Sequence, residues 1–282
     1  MIIFKRTNDL TNWLKKETES GKTIGFVPTM GALHAGHISL ITISKKAADL
    51  TVCSIFVNPT QFNDPKDFQK YPVTLEKDIA LLEGAGADIL YLPTVSELYP
   101  DGTARLERYE LGSLETLLEG KYRPGHFQGV CQVMSRLLSI VQPDHLFMGQ
   151  KDYQQCMVIK WLINYMKLKT VFHACPTVRE HDGLAMSSRN LRLNEEQRKK
   201  AVAIFESLNY IKRNLNPGNL SDLLEKARTN LKSKGFKIDY LDIANADNLE
   251  KVSVWNGKQK LVALAAAFLD EIRLIDNMLL NE

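Results

Sequence analysis

Apolar and polar positions along the first two thirds of the chain follow two periods. Short runs dominated by consecutive apolar residues fall at Thr23–Val27, Leu50–Val57, Asp88–Pro93, Asp144–Gly149 and Thr170–Cys175. They read as strands buried on both faces, which need no polar side. Between them the spacing is helical. Residues 9–20 form one amphipathic stretch, stopped at Gly21, and another runs from the turn at His37 to about Ala48. Leu75, Ile79 and Leu82 mark a helix that stops at Gly84, and 114–118 a short one stopped by Gly120. Val130, Met134, Leu137, Leu138 and Val141 mark a longer helix, and 154–166 another. This alternation predicts an α/β fold built on a doubly wound parallel sheet. From Asn194 the pattern changes to helices at 195–214 and 220–233, then strands at 238–244 and 260–269. A smaller α+β C-terminal domain follows, with an expected division into 1–188 and 189–282.

Doubly wound sheets collect ligands beyond the carboxyl ends of their strands. Four loops fall there: the turn after Pro28, the segment Asn58–Pro72, the turn at Gly149 and the loop after Val178. The first organises the rest. A strand breaks at Pro28, passes Gly31, His34, Gly36 and His37, and enters the helical pattern of Ile38-Ser39-Leu40-Ile41. A strand-to-helix turn of small residues offers backbone N–H groups and a dipole end to phosphate. Histidines at i and i+3 share one side of such a turn. The same residues also suit an ordinary βα turn with one surface and one packed histidine.

Charge and cysteine content narrow the class. The net charge is +3 over 282 residues, spread evenly, which is no basic footprint for nucleic acid. Phosphates must therefore meet specific side chains. The four cysteines lie far apart in sequence, with no Cys-x-x-Cys, and read as core residues of a reducing compartment. No run reaches the ~20 apolar residues of a membrane helix, and the N-terminal apolar stretch is too short for a signal peptide. We expect a cytoplasmic protein with no membrane or nucleic-acid partner. Gly84-Ala85-Gly86 precedes a strand and lacks a third glycine, so it is a helix stop; Gly21-Lys22-Thr23 enters a strand, unlike a P-loop. Zinc-ligand spacing and a nucleophile elbow are both missing.

Three further segments carry chemistry. Gly149-Gln150-Lys151-Asp152 follows a strand, pairing a permissive backbone with a mobile cation, and suits a ligand site or an ordinary βα turn with a solvated lysine. Asp182 to Asn190 is a small-residue loop with Ser187, Ser188 and Arg189, suited to phosphate oxygens or to a plain linker. Tyr122-Arg123-Pro124-Gly125-His126-Phe127 holds a third cation and can equally be plain surface. Gln61 and Gln155 are neutral groups that could orient a carboxylate or hydroxyl, or simply be solvated.

Pro28-Thr29-Met30-Gly31-Ala32-Leu33-His34-Ala35-Gly36-His37, Ser54 to Phe62, Tyr71-Pro72, Arg123 to Phe127, Gln142-Pro143-Asp144, Gly149 to Asp152 and Ser187 to Asn190 occur in this order. The set closely resembles the pantoate–β-alanine ligase family, the pantothenate synthetases. These sit in the superfamily of nucleotidylyltransferases and class I aminoacyl-tRNA synthetases. The resemblance runs to Arg273-Leu274-Ile275-Asp276-Asn277. It implies a Rossmann-like sheet, a homodimer, and a ligase that uses ATP and Mg²⁺ to make pantoyl-adenylate, which β-alanine then attacks. By the same resemblance Pro28, Thr29, Met30, Gly31, Ala32, Leu33, Ala35 and Gly36 contact ATP, with His34 and His37 at its phosphates and His37 as general acid. Lys151, Arg189, Ser187 and Ser188 hold the outer phosphates. Gly149, Gln150, Asp152, Val178 and Met186 line the nucleotide site. Gln61, Gln155, Asn58, Arg123 and His126 bind pantoate or β-alanine, with Gln61 and Gln155 on pantoate, Gln61 also meeting β-alanine, and Arg123 and His126 near the far wall. Asp78 is a possible Mg²⁺-linked carboxylate by its place in the family pattern, or else a solvated helix carboxylate. Position 35 is Ala where an acidic residue is frequent, and the second signature lacks the lysines of the tRNA synthetases. More of the phosphate work then falls on Lys151 and Arg189. Two other readings remain: a nucleotidylyltransferase that stops at the nucleotidyl product, and a non-catalytic RNA-binding relative, against which the charge balance argues.

Overall fold

Residues 1–104 and 106–281, apart from the side chain of Lys66, are described by a computed structural model. They form two units, 1–150 with 154–176, and 151–153 with 177–282. In the first, β1 (Ile2–Phe4), α1 (Thr7–Glu19), β2 (Ile24–Thr29), α2 (Ala35–Ala47), β3 (Leu50–Ile55), α3 (Pro65–Gln69), α4 (Leu75–Gly84), β4 (Ile89–Tyr91) and α5 (Val95–Leu98) come first. Then follow α6 (Leu118–Tyr122), α7 (His126–Val141), β5 (His145–Gly149), α8 (Tyr153–Tyr165) and β6 (Val171–Cys175). The sheet is six-stranded in the order β1-β4-β3-β2-β5-β6, and every pairing is parallel.

Successive strand residues point to opposite faces, and both faces are covered. Phe26, Val52, Ile89 and Leu146 pack with Leu10 and Leu14 of α1 and with the apolar side of α7. Their neighbours Val27, Cys53, Leu90 and Phe147 pack on the other face with Leu40 and Ile41 of α2 and Leu82 of α4. A Cβ at Gly25 would collide with the Ser44 hydroxyl, so α2 lies close on β2 only because residue 25 has no side chain. The strand order reverses direction between β2 and β5, the switch point where such sheets bind ligands.

The second unit contains α9 (Glu195–Ala201), α10 (Ala203–Arg213), β7 (Gly218–Asn219), α11 (Ser221–Ser233), β8 (Lys237–Asn245), β9 (Val254–Trp255), β10 (Leu261–Leu269) and β11 (Ile272–Leu279). β8, β10 and β11 form an antiparallel sheet in the order β11-β10-β8, and β7 pairs with β9. Ala263, Ala265 and Ala267 of β10 face Leu208 and Ile211 of α10 and Leu224 and Leu231 of α11 in one core. Among the described residues no helix is long and apolar enough to cross a membrane.

Several elements depart from the sequence reading. β1 is a three-residue edge strand with Ile2 and Ile3 exposed, too short to show a period. β11 is interrupted by charged and polar residues. The segment 58–72, expected as one loop, contains a 3₁₀ turn at Pro59–Gln61 and the helix α3. The helix expected over 195–214 is two, joined at Val202, whose own dihedrals stay helical at φ −60° and ψ −25°. Residues 177–188, assigned from sequence to the first domain, cluster with the second unit. There Arg179 pairs with Asp276 of β11.

Candidate active site

The turn from β2 to α2 is built around Asp78. Gly31 and Ala32 take left-handed backbone angles, φ +82° and +49°. That conformation turns successive N–H groups inward into a small anion-binding concavity. The Asp78 carboxylate occupies it, accepting from Ala32 N at 2.9 Å and Leu33 N at 2.8 Å, and from the Thr74 hydroxyl at 3.0 Å. Asp78 is 1% exposed. It is therefore not a solvated helix residue; it shapes the loop. Among the described residues no group of three or more His, Cys, Asp or Glu side chains could hold a metal ion. Thr29 completes the turn: its hydroxyl donates to Ser54 O at 2.7 Å and accepts from Gly31 N at 3.3 Å.

His34 and His37 close the N-terminus of α2 on each other. His34 is the cap, and its Nδ1 accepts from Gly36 N at 3.1 Å. His37 Nδ1 accepts in return from His34 N at 3.3 Å. An Nδ1 that accepts carries no proton, so each neutral ring must bear its hydrogen on Nε2. The rings lie 4.1 Å apart, centre to centre. Asp78, His34 and His37 take up the backbone N–H groups of residues 32, 33, 34 and 36. Pro28, at the end of β2, and Ala35, at the first turn of α2, flank this arrangement.

Gln61 is fixed from two sides. Its side chain receives Asn58 Nδ2 at 3.1 Å and donates to Met30 Sδ at 3.0 Å. Asn58, 1% exposed, also donates to Gly129 O and accepts from the Tyr99 hydroxyl at 2.9 Å. The backbone carbonyl of Gln61 meets His126 Nδ1, and His126 Nε2 meets Arg123 Nη1. In the first unit the structure thus joins Met30, Asn58, Gln61, Arg123 and His126 in one network. Gly149 and Gln150 lie at the end of β5, across the switch point from β2. Gln155 is half-buried on α8. Its neighbour Gln154 is buried and holds the backbone of Leu114, Leu117 and Glu119.

The other sequence-derived residues belong to the second unit. Lys151 and Asp152 lie in a 3₁₀ turn, with Lys151 Nζ 3.6 Å from the Asp152 carboxylate. Val178 and Met186 face each other across a narrow hairpin, Met186 N donating to Val178 O at 3.0 Å. Ser187 caps the next 3₁₀ turn by accepting from Arg189 N at 3.3 Å, and Ser188 is buried. Asn190 ties this turn back to Glu180 and Ala185. The reading from sequence gave no role to Arg179, Asp276 or Asn277, although the last two lie in the segment where the resemblance ends. The signal was available: two polar residues in the middle of an apolar strand. Burial pushes the Asp276 carboxyl up, against the pull of the Arg179 guanidinium. All four cysteines are buried, and burial pushes Cys53 and Cys131 up to about 12, which makes them inert as nucleophiles.

A doubly wound parallel sheet with a histidine-capped helix at its switch point and an antiparallel C-terminal unit defines the class of protein. The family described as pantoate-beta-alanine ligase matches residues 2–279. A pantothenate synthetase from Porphyromonas gingivalis is 41% identical over 280 residues, covering 99% of each chain. One from Caldicellulosiruptor bescii is 42% identical over 284 residues, covering 100% of this chain and 99% of that one. The crystal structure of pantothenate synthetase from Thermus thermophilus matches with a TM-score of 0.91 at 38% identity, over the whole of both chains. That of pantoate-beta-alanine ligase from Francisella tularensis, complexed with beta-gamma ATP and beta-alanine, matches at 0.83 and 39% identity, covering 99% of this chain and 97% of that one. The chain belongs to the pantoate–β-alanine ligase family.

Proposed function

We infer that this chain condenses pantoate with β-alanine at the expense of ATP, by way of a pantoyl-adenylate, releasing pyrophosphate and AMP. A carboxylate is a poor acyl donor until one of its oxygens becomes part of a good leaving group, and adenylation supplies that. The pantoate carboxylate attacks the α-phosphorus, the bond to the bridging oxygen breaks, and charge gathers on the phosphoryl oxygens and pyrophosphate. Donors already in place for that charge stabilise the transition state most. In the second step the β-alanine amine attacks the acyl carbon, and the acyl–oxygen bond to AMP breaks.

The observation that carries this reading is the pair of histidines whose Nδ1 atoms accept backbone N–H groups at the N-terminus of α2, which makes Nε2 the protonated nitrogen of each neutral ring. We assign His34 and His37 to the ATP phosphates, with His37 as proton donor, and Met30 to Gly36 to the nucleotide. Lys151, Arg189, Ser187 and Ser188 serve the outer phosphates; Gly149, Gln150, Asp152, Val178 and Met186 serve the nucleotide. Gln61 and Gln155 orient pantoate, with Asn58, Arg123 and His126 holding Gln61 in place. For Mg²⁺ the chain offers no cage among the described residues and Asp78 is committed to the backbone. When bound, the ion would be met by oxygens of the triphosphate and by water, and would supply positive charge there. The proposal includes a cytoplasmic homodimer.

Pantoate-dependent exchange between ATP and pyrophosphate tests the first half-reaction. His37→Ala and Lys151→Ala should each lower it by ~10²-fold or more in folded protein. Near-normal exchange in either would remove that residue from the mechanism. Labelled β-alanine separates a ligase, which forms the amide and releases AMP, from a nucleotidylyltransferase, which forms no amide.

A further inference from the structure

β11 carries two consecutive polar residues, Asp276 and Asn277, 4% and 3% exposed, in the interior of the strand. Neighbours on a strand face opposite sides, so the two side chains have different partners. Asp276 receives Arg179 Nη1 at 2.7 Å, Arg179 Nη2 at 3.1 Å and Asn277 N at 2.8 Å. Arg179 donates further to Gly183 O at 3.0 Å and Asn277 O at 3.2 Å, and its guanidinium lies 4.8 Å from the centre of the Phe205 ring. This bidentate, stacked arrangement locks the Asp276–Asn277 backbone. It also ties down the hairpin that leads to Ser187 and Arg189.

Asn277 uses that rigid position to reach another part of the unit. Its Nδ2 donates to the backbone carbonyl of Lys151 at 2.8 Å. Two residues on, the Tyr153 hydroxyl donates to Ala246 O, also at 2.8 Å. The short Lys151–Tyr153 segment is therefore pinned at both ends by residues distant in sequence, 126 positions away at Lys151 and 93 at Tyr153. The lysine side chain makes a loose 3.6 Å pair with Asp152, so the backbone of this residue is held more firmly than its ammonium.

We propose that Asn277, braced by the Asp276–Arg179 pair, is a positioning residue for Lys151. It fixes the point from which the lysine side chain starts and so the reach of its ammonium. A lysine stem is long and flexible, so a shift at its root moves the charge widely, and misplacement by about 1 Å can lower a rate by about 10²-fold. The proposal rests on the assignment of Lys151 to phosphate.

The test is a double-mutant cycle on pantoate-dependent ATP–pyrophosphate exchange, using Asn277→Ala, Lys151→Ala and the combination in the full chain. Asn277→Asp, nearly the same shape but with an acceptor facing the carbonyl, keeps the test open if the alanine variant unfolds. Either Asn277 variant in wild-type background should lower exchange about tenfold. The loss should appear chiefly in KM for ATP, with KM for pantoate unchanged. In the Lys151→Ala background the same change should cost less than about twofold, because the group it positions is gone. A full tenfold further loss in that background would show a merely structural role and overturn the proposal, as would unchanged exchange in a folded Asn277 variant. If Lys151→Ala alone leaves exchange intact, the phosphate assignment itself fails, a result distinct from additivity.

Discussion

The Nδ1 of His126 lies 2.8 Å from the backbone carbonyl oxygen of Gln61. On the far side of the ring, Nε2 is 3.0 Å from Arg123 Nη1. A guanidinium can only donate, so Nε2 accepts and the proton sits on Nδ1, where it binds Gln61. This is the opposite tautomer from that of His34 and His37. The two kinds of histidine carry the proton on opposite nitrogens, Nε2 in His34 and His37 and Nδ1 in His126.

His126→Phe keeps the ring and removes both bonds. It should raise KM for pantoate about tenfold with little change in KM for ATP. His126→Asn, whose Nδ2 can replace the Nδ1 donor, should recover part of the loss. Steady-state kinetics on the two variants check this; equal losses would remove the hydrogen bond to Gln61 from the explanation.

Gly129 lies inside α7, where alanine ordinarily stabilises a helix by about 1 kcal/mol. Here a Cβ would collide with the Thr60 carbonyl and lie 2.6 Å from Gln61 Cα, all backbone with nothing flexible to yield. Gly129→Ala should therefore destabilise by about 1–3 kcal/mol and raise KM for pantoate. Urea unfolding decides the sign, and a more stable variant would contradict the packing described.

Asp78→Ala leaves the inward N–H groups of Ala32 and Leu33 without an acceptor. We expect a loss of about 3 kcal/mol, and about half that for Asp78→Asn, which keeps one acceptor oxygen. Both variants should weaken ATP binding, since the histidine turn hangs on this carboxylate. Calorimetric unfolding and ATP titration measure the two effects, and a loss of stability with undisturbed ATP affinity would uncouple them.

His145 Nδ1 and His173 Nε2 are 3.1 Å apart on adjacent strands, and His173 stacks on Phe147. Burial holds His173 below its ordinary 6.5, and the charge of His145 pushes the same way. As pH falls, the unfolded chain takes up this proton first, so stability is full above 6.5 and declines through the lower folded value. His173→Phe should flatten the dependence of Tm on pH between about 7 and 5. An unaltered slope would assign that dependence to other groups.

The buried parallel strands were legible because their sequence is continuous and apolar: β2 and β3 announce themselves, and the strand alternation led to the correct sheet class. The edge strand β1 was hidden by its length, and β11 by Arg273, Asp276 and Asn277, each of which has a partner only the folded chain supplies. The turn at His34 and His37 was legible as a helix start. Its contents were not, because the acceptor that shapes it, Asp78, comes from a helix more than forty residues later. Gln154 and Gln155 show the same limit at closer range, since a one-residue step on a helix separates a backbone brace from a half-buried side chain.

The three residues Lys151, Asp152 and Tyr153 are grouped with the C-terminal unit although the chain on either side of them is not. A chain ended at residue 176 would keep every strand of the parallel sheet and still carry this lysine. It would lack Ala246 and Asn277, the anchors of the turn that bears it. The strands of the parallel sheet and the anchors of this turn thus come from different stretches of the chain.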